Sequence, residues 1–134
     1  NVHLIEKNPT KELMISTLKD LFSQLQKGNY DLAKKYLIIP ENITDKELIG
    51  TISKLIEKKE ISIEGINILE KKGVFGKVES IYGEKGKKEI KEKNLNPKSC
   101  YGLYIEFTNV EVMAKWDVEG FRFFRLDNIG KLEK

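Results

Sequence analysis

Leu13, Met14, Leu18, Leu21, Phe22 and Leu25 recur at helical spacing in an otherwise polar stretch. They mark the first element as an amphipathic helix. Pro9-Thr10 offers it an N-cap, and Gly28 supplies the left-handed stop. A short second helix is expected from Asn29 or Asp31 to about Leu37, burying Tyr30, Ala33 and Leu37, before Pro40 breaks it. A third opens at the capping box Thr44-Asp45-Lys46-Glu47 and carries Leu48, Ile49, Ile52, Leu55 and Ile56 on one stripe. Ser62 to Lys71, ended by Gly73, reads as a fourth helix, with a strand at its Ile63 end as the alternative.

After Gly73 the period changes. Val74 to Tyr82 reads as a strand interrupted at Gly76, and Lys85 to Leu95 is polar enough to be a surface helix or a loop. Tyr101, Leu103, Ile105 and Phe107 then alternate, as do Val110, Val112, Ala114, Trp116 and Val118, followed by Phe121 and Phe123. A turn at Thr108-Asn109 pairs Phe107 with Val110, Ile105 with Val112, Leu103 with Ala114 and Tyr101 with Trp116, all apolar on one face. A second turn at Glu119-Gly120 pairs Trp116 with Phe123, Ala114 with Arg125 and Val112 with Asp127. On the opposite face Asp117 meets Arg122. The chain is therefore expected to be a single α+β domain over 1–134, with N-terminal helices packed on a curved antiparallel sheet formed mainly by its C-terminal half. Nine of the twelve aromatic residues follow residue 70, which agrees with strands there.

Composition narrows the function classes without naming one. The longest apolar run is Tyr36 to Ile39, whereas a bilayer crossing needs roughly 20 apolar residues, so no transmembrane segment is expected. One Cys and one His leave no disulfide framework and no thiolate or histidine metal centre, and no cofactor is called for. The 24 basic and 21 acidic residues give +3, too mild a balance for a nucleic-acid partner. Residues 1–70 carry −1 and residues 71–134 carry +4, the excess lying mostly in Glu84–Lys98, which reads as a solvated face. Sixteen Ile and 22 Lys against two Ala and two Arg are the bias of an AT-rich coding sequence, and point to a low-GC bacterium. The chain opens on Asn1-Val2-His3 with no initiator Met, which fits a processed or trimmed form. An exported or envelope-associated location is weighed slightly above a cytoplasmic one, and the lone Cys100 fits either.

Marked enzyme motifs are missing. The glycines at 73, 76, 83 and 86 do not form a dinucleotide fingerprint, and no phosphate loop, nucleophile elbow, zinc-protease helix or calcium loop occurs. Cys100 has no nearby His, so it reads as a packed small residue. His3 precedes the first helix and carries no catalytic assignment. The expected register leaves one anomaly. Arg125 and Asp127 continue the sheet face that holds Tyr101, Leu103, Ala114, Trp116 and Phe123, and a charged pair there would have to be paired or solvated. Arg125, Asp127, Tyr101 and Trp116 are therefore the candidate ligand-binding residues, with no catalytic and no metal-binding residue assigned.

The first helix followed by Gly28-Asn29-Tyr30-Asp31-Leu32-Ala33, with a late meander ending in Trp116-Asp117-Val118-Glu119-Gly120-Phe121-Arg122-Phe123, resembles the cone-shaped nuclear-transport-factor-like superfamily. That resemblance implies a curved sheet wrapped around a pocket that hosts enzymes, binders or dimer interfaces, so it does not fix function. Its enzymatic members use Asp, His and Tyr deep in the cone. Here Asp127, Arg125 and Tyr101 are the nearest equivalents and no internal His exists. The residues thus support a non-enzymatic small-ligand-binding or protein-interaction domain. The ligand would be a small apolar or acidic molecule. A homodimer or protein partner would use the outer sheet face around Tyr104, Met113, Lys115 and Phe124. The alternative is an acid/base isomerase- or cyclase-like enzyme using a pocket carboxylate.

Overall fold

The computed structural model describes residues 8–40 and 42–133, so His3 lies outside the described residues. Helix α1 spans Lys11–Gln26, and the Thr10 side chain accepts the Leu13 N–H at its start. Met14, Ile15, Leu18, Leu21 and Leu25 form its buried stripe. Gly28 takes φ 72, the left-handed conformation that costs glycine little and lets the chain reverse. Helix α2 is one turn, Tyr30–Ala33, continued by a tighter 3₁₀ turn over Lys34–Tyr36. Helix α3 spans Asp45–Glu57, and Thr44 Oγ1 accepts the Glu47 N–H while donating to Glu47 Oε1 at 3.0 Å. The capping residues therefore meet through their side chains. Helix α4, Ile63–Lys72, is helical throughout, which removes the strand alternative. Ser62 caps it by accepting the Gly65 N–H.

Four strands follow, β1 (Val74–Lys77), β2 (Cys100–Tyr104), β3 (Glu111–Asp117) and β4 (Gly120–Asp127), all antiparallel in the order β1-β2-β3-β4. The open, curved sheet lies in the C-terminal half and the helices lie mostly before it, as the hydrophobic periods require. Three expectations are corrected. The strand expected to reach Tyr82 stops at Lys77, and Val78–Glu92 is helix α5, broken at Gly83 with φ 59 and ψ −135. Val78, Ile81 and Tyr82 sit three and four apart, so they share a helical face as readily as they alternate in a strand. In the first hairpin Leu103 pairs with Val112 and Tyr101 with Ala114, two residues from the expected register. Residues 105–110 form a longer loop in place of a two-residue turn. A slip of two keeps every side chain on its face, so the apolar pattern cannot distinguish the two registers.

The third correction decides the site. At its start β4 pairs with β3 as Asp117–Gly120, Trp116–Phe121 and Ala114–Phe123. The register then shifts between Met113 and Ala114, so that Met113 meets Arg125, Val112 meets Leu126 and Glu111 meets Asp127. This β-bulge turns Phe124 and Arg125 to one side and restores Leu126 to the other.

The sheet is packed on both faces. Phe123, Leu103, Val112, Ala114 and Phe121 meet α1, α3 and α4 in the main core, where Met14, Leu18, Leu21, Ile52, Ile66 and Leu69 are fully buried. Each such side chain contributes about 1.5–3 kcal/mol by leaving water. On the other face α5 lays Val78 and Ile90 against Cys100 and Met113, with Tyr82, Leu95 and Phe124 around them. Of the outer face expected to receive a partner, α5 covers the part around Met113, while Tyr104, Lys115 and Phe124 stay half-buried. Met113 is fully buried there. Of Lys85–Leu95, expected as a surface helix or a loop, the part up to Glu92 belongs to this helix.

Outside the sheet, the segment after α2 borders β4. Ile38 N–H donates to Phe123 O at 2.9 Å, and Arg122 Nη2 donates to Leu37 O at 3.0 Å. The C-terminal turn Ile129–Lys131 lies against the start of α4 so closely that a Cβ on Gly65 would stand 2.0 Å from Ile129 O.

Candidate functional site

Because the bulge turns it away from the main core, Arg125 faces α5. Its Nη1 donates to Glu89 Oε1 at 2.9 Å, its Nη2 lies 3.6 Å from Glu111 Oε1, and its Nε lies 2.6 Å from Asp127 Oδ2. Lys85 Nζ adds a contact of 2.8 Å to Glu111 Oε2. The Nε–Asp127 and Lys85–Glu111 contacts are close but poorly aligned for hydrogen bonding, so their attraction is Coulombic rather than directional. Glu89 and Glu111 keep only 14% and 12% of their side-chain surface in water. Burial works against the charge on Arg125, but Asp127, Glu89 and Glu111 outweigh it and hold its pKa above the ordinary value. The guanidinium is thus the common counter-ion of three carboxylates drawn from α5, β3 and β4.

Tyr82 joins the same region to the sheet. Its hydroxyl donates to Leu103 O at 2.6 Å and accepts the Val112 N–H at 2.9 Å, bridging two residues that pair across β2 and β3. Burial pushes the phenol pKa well above its usual range, so the hydroxyl stays protonated. Between α5 and the β2–β3 loop runs a groove of about 490 Å³, with Tyr82, Lys85, Tyr104, Glu111 and Asn128 among its walls. Asn128 sits at φ 65 and its side-chain amide donates to Asn109 O at 2.9 Å, closing one end. The Asn128 N–H reaches Glu60 Oε1 at 3.4 Å. Burial first, and the neighbouring Asp127 second, raise the pKa of Glu60 above 4.5.

The four residues singled out from the sequence do not form one site. Arg125 and Asp127 lie on the α5 face, and their expected partners Ala114 and Val112 give way to Met113 and Glu111. Tyr101 and Trp116 lie on the main-core face. Tyr101 stacks parallel on Phe75 at 5.5 Å with Lys77 Nζ 4.8 Å from its ring centroid, and Trp116 packs edge-on to Phe121 at 4.8 Å. A hollow of about 340 Å³ near that end of the sheet is walled by α1 and the β3–β4 turn, without Tyr101 or Trp116. The expected Asp117–Arg122 pair is replaced by Lys115 opposite Arg122, while Asp117 Oδ1 accepts the Glu119 N–H. Cys100 is buried with its Sγ 3.3 Å from Asn96 O, and burial lifts its thiol pKa to about 11, a packed thiol rather than a nucleophile. Among the described residues no group of three His, Cys, Asp or Glu side chains is placed to hold a metal ion, and no helix is long and apolar enough to cross a membrane.

Sequence reasoning missed Glu60, Tyr82, Lys85, Glu89 and Glu111. Glu89 and Lys93, at the end of α5, stand four apart, which is a local signal, but nothing local ties Glu89 to Arg125, 36 residues on. What fold and site define together is a single-sheet α+β domain with helices on both faces and a shared-arginine charge cluster under one of them. No protein-family model, no curated protein and no solved structure matches the chain.

Proposed function

We propose that this domain is a non-enzymatic protein-interaction module. The observation that carries the reading is the commitment of its charged groups. The carboxylates and cations nearest the α5 groove hold one another across three elements, and both faces of the sheet are filled by packed side chains. Asp127, the carboxylate that an acid/base enzyme would use, lies against Arg125 and on the sheet face away from Tyr101 and Trp116. A base so engaged is poorly placed to take a substrate proton.

Apolar side chains at the surface support a partner. Phe107 and Val118 are each 94% exposed, at opposite ends of β3. Phe107 also takes φ 64, a left-handed conformation that costs a bulky residue about 1–2 kcal/mol. Strain and exposure in one aromatic are the marks of a residue kept for contact. The resemblance to the nuclear-transport-factor-like superfamily, resting on helices first and an antiparallel meander last, is compatible with this reading, since that fold serves interaction modules as well as enzymes.

Two measurements test it. Crosslinking of the tagged domain in cells is expected to give a defined protein partner whose yield falls with Phe107→Ser. A thermal-shift panel of small apolar and acidic molecules is expected to leave the melting temperature unchanged. A ligand at 100 times its Kd stabilises by about 2.7 kcal/mol, so a shift of many degrees from any one class would transfer the function to small-ligand binding.

A further inference from the structure

Helix α3 buries one apolar stripe and leaves a second in water. Leu48 and Ile52 are buried in the main core, with Leu55 packed beside them. Ile49 and Ile56 belong to neither core and are 48% and 40% exposed. They stand seven residues apart, about two turns, so they share one line along the helix with Ser53 between them. A single exposed apolar residue is ordinary, but two on one helical line make a seam of the kind that pairs with another helix.

The charges beside that seam select the occupant. At 3.6 residues per turn, Lys46 and Glu57 flank the same side of the seam near its two ends. Asp45 flanks its other side, and Lys59 follows just past the helix end. Glu47, Lys54 and Lys58 point away from the seam. Asp31, which borders the same end of α3 as Asp45, is met by Lys34, and Glu60 turns to the Asn128 N–H. Among the described residues Asp45, Lys46, Glu57 and Lys59 enter no ion pair, so all four are available.

Each side of the seam therefore changes sign from one end to the other. In an antiparallel helix pair each side faces the same side of its neighbour. A second copy laid antiparallel about a two-fold axis near Ser53 thus sets Ile49 against Ile56 and Lys46 against Glu57, each twice. The same placement brings Asp45 level with Lys59 of the second copy, and it opposes the two helix dipoles.

We propose that the Ile49–Ile56 seam of α3 is the contact of a reversible homodimer, with two α3 helices packed antiparallel across a two-fold axis. Helices of 13 residues make a small interface, so the dimer is weak. The proposal goes beyond the partner contact at Phe107, which lies in the β2–β3 loop, and does not depend on it.

The test is sedimentation equilibrium of the whole domain from about 10 μM to about 1 mM, the range in which so weak a dimer dissociates. Wild type is expected to pass from monomer to dimer across it, and Ile56→Glu to stay monomeric. Lys46→Glu and Glu57→Lys each bring like charges together twice, and each is expected to weaken association at least about tenfold. Mixed in equal amounts, these two single variants are expected to associate with each other as wild type does, because each then meets the opposite charge. Lys46 and Glu57 lie roughly 16 Å apart along one helix, so no contact within a monomer can produce that recovery. All three substituted positions are exposed, and the mixing experiment still decides if Ile56→Glu fails to fold. A monomer throughout the range overturns the proposal and leaves the Phe107 contact standing. A dimer that persists in folded Ile56→Glu also overturns it, as does a dimer lost on Phe107→Ser, which would place self-association at the β2–β3 loop. Failure of the mixed variants to associate overturns the antiparallel α3 contact.

Discussion

Arg125 stands opposite Met113 in the β3–β4 ladder, one residue out of step with the Phe123–Ala114 pair that precedes it. That single offset moves a guanidinium from the main-core face to the α5 face, where three carboxylates meet it. Without the bulge, the same side chain would lie among Leu103, Ala114 and Phe123, where an unpaired charge is costly.

Removing the shared cation tests this cluster. Arg125→Ala leaves Glu89, Glu111 and Asp127 facing one another, and is expected to cost roughly 1–3 kcal/mol in urea unfolding. The figure is held below that of a fully buried pair because Arg125 keeps 35% of its side-chain surface in water. Adding Glu89→Gln to Arg125→Ala should recover part of the loss, and strict additivity of the two changes would show that the groups do not interact.

Tyr82→Phe deletes the hydroxyl that bridges Leu103 and Val112 and leaves two backbone groups without their partner. A loss of about 1–3 kcal/mol is expected, together with faster hydrogen exchange at the Val112 amide. Unchanged exchange at Val112 would mean that the ladder closes by itself.

Glu60 ties pH to stability. Its folded pKa is raised above 4.5, by burial first and by Asp127 second, so the folded state favours the protonated carboxyl. Its contribution is full below the unfolded value and is lost as pH rises through the folded one. Glu60→Gln keeps an oxygen for the Asn128 N–H and removes the charge. The variant is therefore expected to be more stable than wild type at neutral pH, with the difference shrinking as pH falls through the raised folded value and closing below 4.5. A difference independent of pH would remove Glu60 from this role.

Two glycines in helices should respond in opposite directions. Gly50 in α3 has open space where a Cβ would stand, so Gly50→Ala should gain up to about 1 kcal/mol from helix propensity. Gly65 in α4 has Ile129 O at 2.0 Å from that position, so Gly65→Ala must push the C-terminal turn away and should cost about 2–4 kcal/mol. Melting temperatures of the two variants compare them directly, and a stabilised Gly65→Ala would show that the turn yields easily.

The sequence by itself determined the helices and the class of the fold. Thr10, Thr44 and Ser62 cap helices whose apolar stripes repeat at 3.6 residues, and these local signals are formed within one turn. The alternation from Tyr101 to Phe123 likewise fixed which residues face the main core on β2, β3 and the first half of β4. Register was another matter, because a shift of two residues preserves every face and leaves no mark in the pattern. The fate of Val78–Glu92 was also beyond local reading. Its few apolar residues make a marginal helix alone, and it is the second sheet face, bearing Cys100 and Met113, that gives Val78 and Ile90 somewhere to bury. Only tertiary packing placed the bulge after Phe123, since an extra residue in one strand has no meaning until its partner is beside it. That bulge decided which side of the sheet Arg125 and Asp127 occupy, and with it the identity of the charge cluster.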